Sequence, residues 1–357
     1  MDSPERIVIV GGMACGPKAA ARARRCSPHA AITIVEQGTT VSEGSCGLPY
    51  LIGGQVANEN ALLIRTPRYF KDVMGIDVLT GMRAVSINRA GHTVEILNVK
   101  TNEALTLSYD RLVLATGATP AVPASIKGRD LKGVFTLTKL ADAASIMREL
   151  SEATPKKAVV VGAGLIGLEA TEALRKRGLE VTIVEALDRV LPSLLDPEMA
   201  AHVAKELETN GVTLRLGERI MQIVSDAPGH ARSVLTQQGE LDADMVVLAL
   251  GARPNVQLAR EAGLTIGQTG GISVDERMRT SDPDIYAAGD CIETPMLAYT
   301  AYKEAETAVR HCATGEKGKV DYETMPRLVF SMPQAGSVGM SEKQASEKKI
   351  HYRVYKY

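Results

Sequence analysis

The chain has 357 residues, 45% of them hydrophobic and 23% charged, with a formal net charge of −1. That length exceeds what one hydrophobic core normally organises, so two or three domains are expected. The balanced charge draws the protein toward neither nucleic acid nor an anionic membrane, and with no Trp and three Phe it has few platforms on which bases could stack.

From the N-terminus, Pro4-Glu5-Arg6 passes directly into a short apolar strand, and no secretory leader is expected. No apolar run reaches the length of a membrane span; the longest, around Met245 to Gly251, is strand-sized. The five cysteines (Cys15, Cys26, Cys46, Cys291, Cys312) are odd in number and show no CxxC spacing. A disulfide framework or a zinc site is therefore not expected, no metal is assigned, and a reducing cytoplasm is the expected setting.

Arg6-Ile-Val-Ile-Val10 leads into Gly11-Gly-Met-Ala-Cys-Gly16 and an Ala/Arg-rich helical stretch to Arg25, after which Ala31-Ile-Thr-Ile-Val35 ends in Glu36. The same phrase returns later. Ala158-Val-Val-Val161 enters Gly162-Ala-Gly-Leu-Ile-Gly167, a helical pattern runs to Arg177-Gly178, and Val181-Thr-Ile-Val184 ends in Glu185. The first glycine of each turn permits a tight exit from the strand, and the last lets the helix pack close to the sheet. Between them the N–H groups at the helix start face a pyrophosphate, whose charge the helix dipole favours. The acid stands 20 residues past Gly16 and 18 past Gly167, within reach of a ribose hydroxyl. A single glycine turn would be weak evidence; two, each with its acid, predict two dinucleotide sites. The first copy departs from the pattern at Met13, where the second glycine belongs, while Ala14 beside it stays small.

Between the copies, Pro67 to Met74 reads as a helix, and 84–88, 93–97 and 104–107 read as an antiparallel meander turning at Arg89-Ala-Gly-His92. An apolar strand within Tyr109 to Ala118 then ends in Thr116-Gly117. The second copy repeats that ending in Asp242 to Gly251, followed by Ala252-Arg-Pro-Asn255. Ile285-Tyr-Ala-Ala-Gly-Asp290 and a helical stretch from Tyr299 to Cys312 complete the pattern.

In these motifs and their order the chain resembles the pyridine nucleotide-disulfide oxidoreductases along essentially its whole length. The resemblance implies an α/β fold of two Rossmann-like domains: an FAD domain (1–120 and 252–322), an NAD(H) domain inserted in it (121–251), and the start of an α+β dimerisation domain (323–357). It implies FAD contacts around Gly11, Gly12, Ala14, Gly16, Thr116, Gly117 and Gly289, with Glu36 on the adenosine ribose and Asp290 on the ribityl chain, and a further cofactor contact at Gly251. The nicotinamide coenzyme falls to Gly162, Gly164, Ile166, Gly167 and Glu185. Because a carboxylate at Glu185 repels a 2′-phosphate, NADH is favoured over NADPH, although Arg189 is close in sequence.

Ser42-Glu-Gly-Ser-Cys-Gly-Leu-Pro-Tyr50 places Cys46 directly before a turn or helix start marked by Gly47 and Pro49, a setting that can aim a thiol and favour its thiolate. With no second cysteine near it, Cys46 cannot form a local dithiol. It must instead cycle through a mixed disulfide, a persulfide or a sulfenic acid. The block is similar to that of single-cysteine reductases of coenzyme A disulfide and polysulfide. Oxygen- and peroxide-reducing relatives typically carry a histidine where Ala14 stands. Ser42 and Arg25 match the coenzyme A pattern, in which an arginine holds a substrate phosphate; Ser45 and Glu43 depart from it. Arg22, Arg24, Arg25 and Lys18 also suit the solvated face of a helix, and Cys15 suits a small packing residue.

The implied activity passes electrons from NADH through flavin to a small disulfide-type acceptor by way of Cys46. An NADH oxidase or general NADH:acceptor reductase that bypasses Cys46 is the alternative, and a non-catalytic redox sensor the alternative of another class. Residues 325–341 resemble the opening of the dimerisation domain, and the chain stops at Tyr357. A natural shortening and a piece of a longer, homodimeric protein both fit.

Overall fold

The computed structural model describes residues 4–226 and 229–356. The chain forms two compact units. The first comprises Met1–Gly44, Asn60–Thr119 and Ala252–Tyr322; the second comprises Ser45–Glu59, Pro120–Gly251 and Glu323–Tyr357.

The first unit is built on five parallel strands in the order Ile285–Ala287, Arg111–Leu114, Arg6–Val10, Ala31–Glu36, Asp77–Thr80. Continuous apolar runs such as Ile7–Val10 suit strands covered on both faces, and these residues are buried. The register pairs Val10 with both Val35 and Leu114. That alignment brings Gly11, Glu36 and Ala115, the next residue of each strand, to one edge of the sheet. The helix Cys15–Cys26 packs on the helix Ala298–Thr314. The meander forms as expected, over Met82–Asn88, Thr93–Asn98 and Ala104–Ser108, and the helix spans Pro67–Met74.

The second unit repeats the plan: Val212–Leu216, Glu180–Glu185, Lys157–Val161, Met245–Leu248, Val134–Phe135, all parallel. Val161 pairs with Val184 and with Leu248, so Gly162, Glu185 and Ala249 again share an edge. The outermost strand beside the central pair comes last in the chain in the first unit and first in the second. A second antiparallel meander, Ile220–Ser225, Ala231–Thr236 and Gly239–Asp242, was not anticipated from the sequence. Within this unit the helix Leu48–Ile52 packs on Leu165–Lys176. Arg177 Nε donates to the Ile52 carbonyl, and the Tyr50 hydroxyl donates to the Phe330 carbonyl at 2.9 Å. Residues 325–341 form the hairpin Arg327–Val329 and Ala335–Ser337, followed by the helix Glu342–Glu347.

The arginines of the first helix separate sharply. Arg24 donates to the carbonyls of Met74, Pro28 and Gly75 at 2.8, 2.7 and 2.8 Å, pinning the helix end to the turn after Pro67–Met74. Arg25 is exposed and, among the described residues, reaches only its own helix, at the Ala21 carbonyl. Arg24→Ala therefore should cost about 2 kcal/mol, since three acceptors lose a charged donor. Arg25→Ala should stay within about 0.5 kcal/mol of the parent. Urea denaturation of both variants measures the difference, and equal losses would contradict this division.

Candidate functional site

The two glycine turns match hydrogen bond for hydrogen bond. Gly11 N–H donates to the Val35 carbonyl at 2.9 Å, and Gly162 N–H to Val184 at 2.8 Å. A Cβ on Gly16 would stand 1.8 Å from the Gly11 carbonyl oxygen, and one on Gly167 1.9 Å from that of Gly162. Gly11 and Gly162 have φ of 117° and 106°, and a Cβ on either would strike the carbonyl of Ala115 or Ala249. Only glycine satisfies these positions. The acids close the arrangement. Glu36 accepts Gly12 N–H at 2.6 Å and Gly38 N–H at 2.6 Å, one on each carboxylate oxygen. Glu185 accepts Ala163 N–H at 2.7 Å and Leu187 N–H at 2.8 Å in the same way.

The strand endings are equivalent too. Ala115-Thr116-Gly117 and Ala249-Leu250-Gly251 each leave the sheet through a positive-φ glycine, at 66° and 89°. In the first unit Thr116 Oγ1 donates to the Asn255 carbonyl at 2.7 Å, and Asn255 Nδ2 returns a bond to the Thr116 carbonyl at 2.8 Å. Asn255 N–H also meets the Gly117 carbonyl at 2.9 Å, so two motifs far apart in the sequence lock together. Ser42 takes φ 58°, uncommon for a residue with a Cβ, and its N–H reaches the Gly12 carbonyl at 2.7 Å. Gly289, at φ 79°, lies against Cys15, and burial raises the carboxyl pKa of the next residue, Asp290.

Ala14 stands immediately before the first helix; Ile166 lies in the first turn of Leu165–Lys176 and is exposed. Lys18 pairs with Glu306 at 2.7 Å and lies over the Tyr302 ring. Arg25 donates to its own helix backbone, at the Ala21 carbonyl.

The cysteines also divide. Burial pushes the Cys15 thiol well up, the Cys291 thiol to about 11 and the Cys312 thiol to about 12. Their sulfurs point at backbone carbonyls of Ala301, Leu114 and Ala288, and Val309, as small packing residues do. Cys46 is exposed, in the 3-10 turn Ser45–Gly47 that runs into Leu48–Ile52.

Two acids escaped sequence reading. Glu304, on Ala298–Thr314, is wholly buried and accepts Gly289 N–H at 2.7 Å. Glu169, two residues past the second glycine turn, accepts Phe330 N–H at 3.0 Å, and burial raises its pKa. A glutamate on a helix ordinarily reads as a solvated face, and only its position relative to the glycine turn distinguished Glu169.

These features suit dinucleotides. Gly164, the second glycine of its turn, has nothing within 4 Å of the point where a Cβ would stand, so the turn's backbone is open to a phosphate there. Each terminal carboxylate has one N–H on each oxygen and retains acceptor capacity for ribose hydroxyls. Twin α/β folds, each with a glycine turn and a terminal acid, define a chain of duplicated dinucleotide-type frames.

Residues 5–305 match the family described as pyridine nucleotide-disulphide oxidoreductase, and the chain belongs to that family. It is 38% identical over 289 residues to an NADH oxidase of Methanocaldococcus jannaschii, covering 81% of this chain and 63% of that protein. It is 36% identical over 288 residues to an NAD(P)H sulfur oxidoreductase (CoA-dependent) of Pyrococcus abyssi, covering 81% and 63%. A solved structure described as reduced Bacillus anthracis CoADR-RHD superposes with a TM-score of 0.92 at 34% identity, over 99% of this chain and 64% of that one. The chain thus spans about 63% of the length of these curated relatives.

The two glycines of the second turn should separate by function. Gly167→Ala forces backbone apart and should lose at least about 2 kcal/mol of stability. Gly164→Ala should unfold within about 0.5 kcal/mol of the parent, yet bind NADH about tenfold more weakly or worse. Urea denaturation and fluorescence titration with NADH test the pair; undiminished NADH binding by Gly164→Ala would count against a phosphate at this turn.

Proposed function

We propose that the chain carries the nucleotide-handling machinery of an NADH-dependent, FAD-containing reductase of small disulfide-type acceptors such as coenzyme A disulfide, a persulfide or a polysulfide. The supporting observation is the duplicated turn with its doubly hydrogen-bonded acid, Glu36 in one unit and Glu185 in the other. FAD, when bound, supplies a two-electron store between a hydride donor and sulfur chemistry. In this reading Gly11, Gly12, Ala14, Gly16, Ser42, Thr116, Gly117, Gly289 and Asp290 surround it, with Glu36 on its ribose. Gly162, Gly164, Ile166, Gly167 and Glu185 hold NADH.

NADH is preferred over NADPH because the Glu185 carboxylate repels a 2′-phosphate. The nearby cation, Arg189, is engaged with Asp188 at 2.9 Å. Cys46 is the exposed cysteine of the five, whereas Cys15, Cys291 and Cys312 are buried with raised thiol pKa values. Its thiolate attacks one sulfur of the acceptor disulfide, the other sulfur leaves as a thiolate, and a mixed disulfide on Cys46 results. Two electrons originating in NADH then break that bond and return the Cys46 thiolate with the second product thiol. The net reaction is disulfide plus NADH plus a proton giving two thiols and NAD⁺. The relatives' names, one an NADH oxidase and one a CoA-dependent sulfur oxidoreductase, support electron flow from nicotinamide and a sulfur acceptor respectively. A homodimer in a reducing cytoplasm completes the proposal.

Cys46→Ser tests the sulfur step. Anaerobic NADH titration of the parent should take up more than two electrons per flavin and develop a long-wavelength charge-transfer band. The variant should stop at two, lack the band, and lose at least about a hundredfold in turnover with coenzyme A disulfide. Unchanged turnover of the variant with every acceptor would instead favour direct NADH:acceptor reduction.

A further inference from the structure

Glu304 is an acid with no place in the activity proposed above, and it lies at zero exposure on Ala298–Thr314. Its two oxygens are divided between separate parts of the first unit. Oε2 accepts Gly289 N–H at 2.7 Å, and Oε1 accepts the Tyr322 hydroxyl at 3.1 Å. Gly289 has little freedom on its other side. At φ 79°, a Cβ there would stand 3.1 Å from Cys15 Cβ and 3.5 Å from Ala301 Cβ. The Gly289 peptide is thus held between the first glycine turn, the helix and the Glu304 carboxyl group. The next residue is Asp290, itself partly buried.

We propose that Glu304 is a positioning residue for FAD: its carboxyl group orients the Gly289 peptide, sets the Asp290 side chain toward the cofactor, and ties that setting to Tyr322 on the chain leaving the helix. The proposal rests on the assignment of FAD to the first unit. A buried acid suits this task because one carboxyl group accepts two donors from different segments, and removing it strands the Gly289 N–H without a partner. Cys15 fills the opposite side of the peptide, so the sulfur packs where a larger side chain would displace Gly289.

The test compares Glu304→Gln, Glu304→Leu and Tyr322→Phe with the parent as full chains, stripped of flavin and titrated with FAD. Binding is read by quenching of flavin fluorescence and by the fine structure of the visible flavin band, and apoprotein melting is recorded in parallel. Glu304→Gln keeps an oxygen for Gly289 and an amide that the Tyr322 oxygen can accept, so its affinity should stay within about threefold of the parent. Glu304→Leu should bind FAD at least about tenfold more weakly, with altered fine structure. Tyr322→Phe, which leaves Gly289 bonded and is the milder change for folding, should lose about fivefold. Parent-like affinity and spectrum in Glu304→Leu overturn the proposal, as does a Glu304→Gln variant as impaired as Glu304→Leu. If Glu304→Leu does not fold, parent-like FAD binding by Tyr322→Phe overturns the link to Tyr322, which is part of the proposal. Failure of the parent itself to bind FAD overturns the cofactor assignment, a result distinct from parent binding with indifferent variants.

Discussion

Both halves of the molecule depend on one interaction, a carboxylate at the end of the second strand that accepts two backbone N–H groups. Glu36 reaches Gly12 and Gly38, and Glu185 reaches Ala163 and Leu187. Each acid therefore joins the glycine turn of the first strand to the chain leaving the second, which shapes the edge where the two parallel strands end. Such charge-assisted bonds are short and strong, and they keep a partly buried charge satisfied before any ligand arrives. The side chain suited to reading a ribose is also the one that holds the turn in shape. A nucleotide then meets a turn already arranged, with little ordering left to oppose binding.

What was legible in the sequence was whatever hard-sphere geometry enforces locally. Gly16 and Gly167 each stand under 2 Å, in Cβ terms, from a carbonyl of their own turn, so the spacing cannot vary without losing the fold. Apolar runs of strand length and the helix start at Pro67 are local signals of the same sort, and the elements lie where those signals place them. Long-range choices left no local mark. Arg24 and Arg25 are neighbours of the same type, and two carbonyls about fifty residues away, with that of Pro28, make one of them structural. Ser42 adopts a backbone conformation that its sequence does not ask for, because the Gly12 carbonyl holds its N–H. The resemblance supplied Thr116 and Asn255 as two separate motifs, and their mutual hydrogen bonds came from the fold. Glu304 was invisible for the same reason: its burial arises from a helix packing on Cys15–Cys26, not from its own neighbours in the chain.

The cysteines show how environment distributes chemistry among identical side chains. Cys15 and Cys291 flank the Gly289 region, where an ionised thiol would lie in apolar surroundings near acidic groups. Both are driven toward the neutral form, which suits packing and disfavours nucleophilic attack. Cys46 lies in a separate, exposed turn preceding a short helix. Separation of packing thiols from an exposed one requires no change in residue type, only in burial.

Near-identity of the two turns makes their differences informative. In the first, Met13 occupies the position that Gly164 leaves open in the second, and Cys15 is buried under Ala298–Thr314 where its counterpart Ile166 is exposed. Glu36 is 9% exposed, whereas Glu185 is only partly buried. In the first copy the helix Ala298–Thr314 packs over Cys15, whereas the second keeps open space at Gly164. The same glycine frame therefore has different surroundings in its two copies, set by what packs on each turn and not by the turn itself.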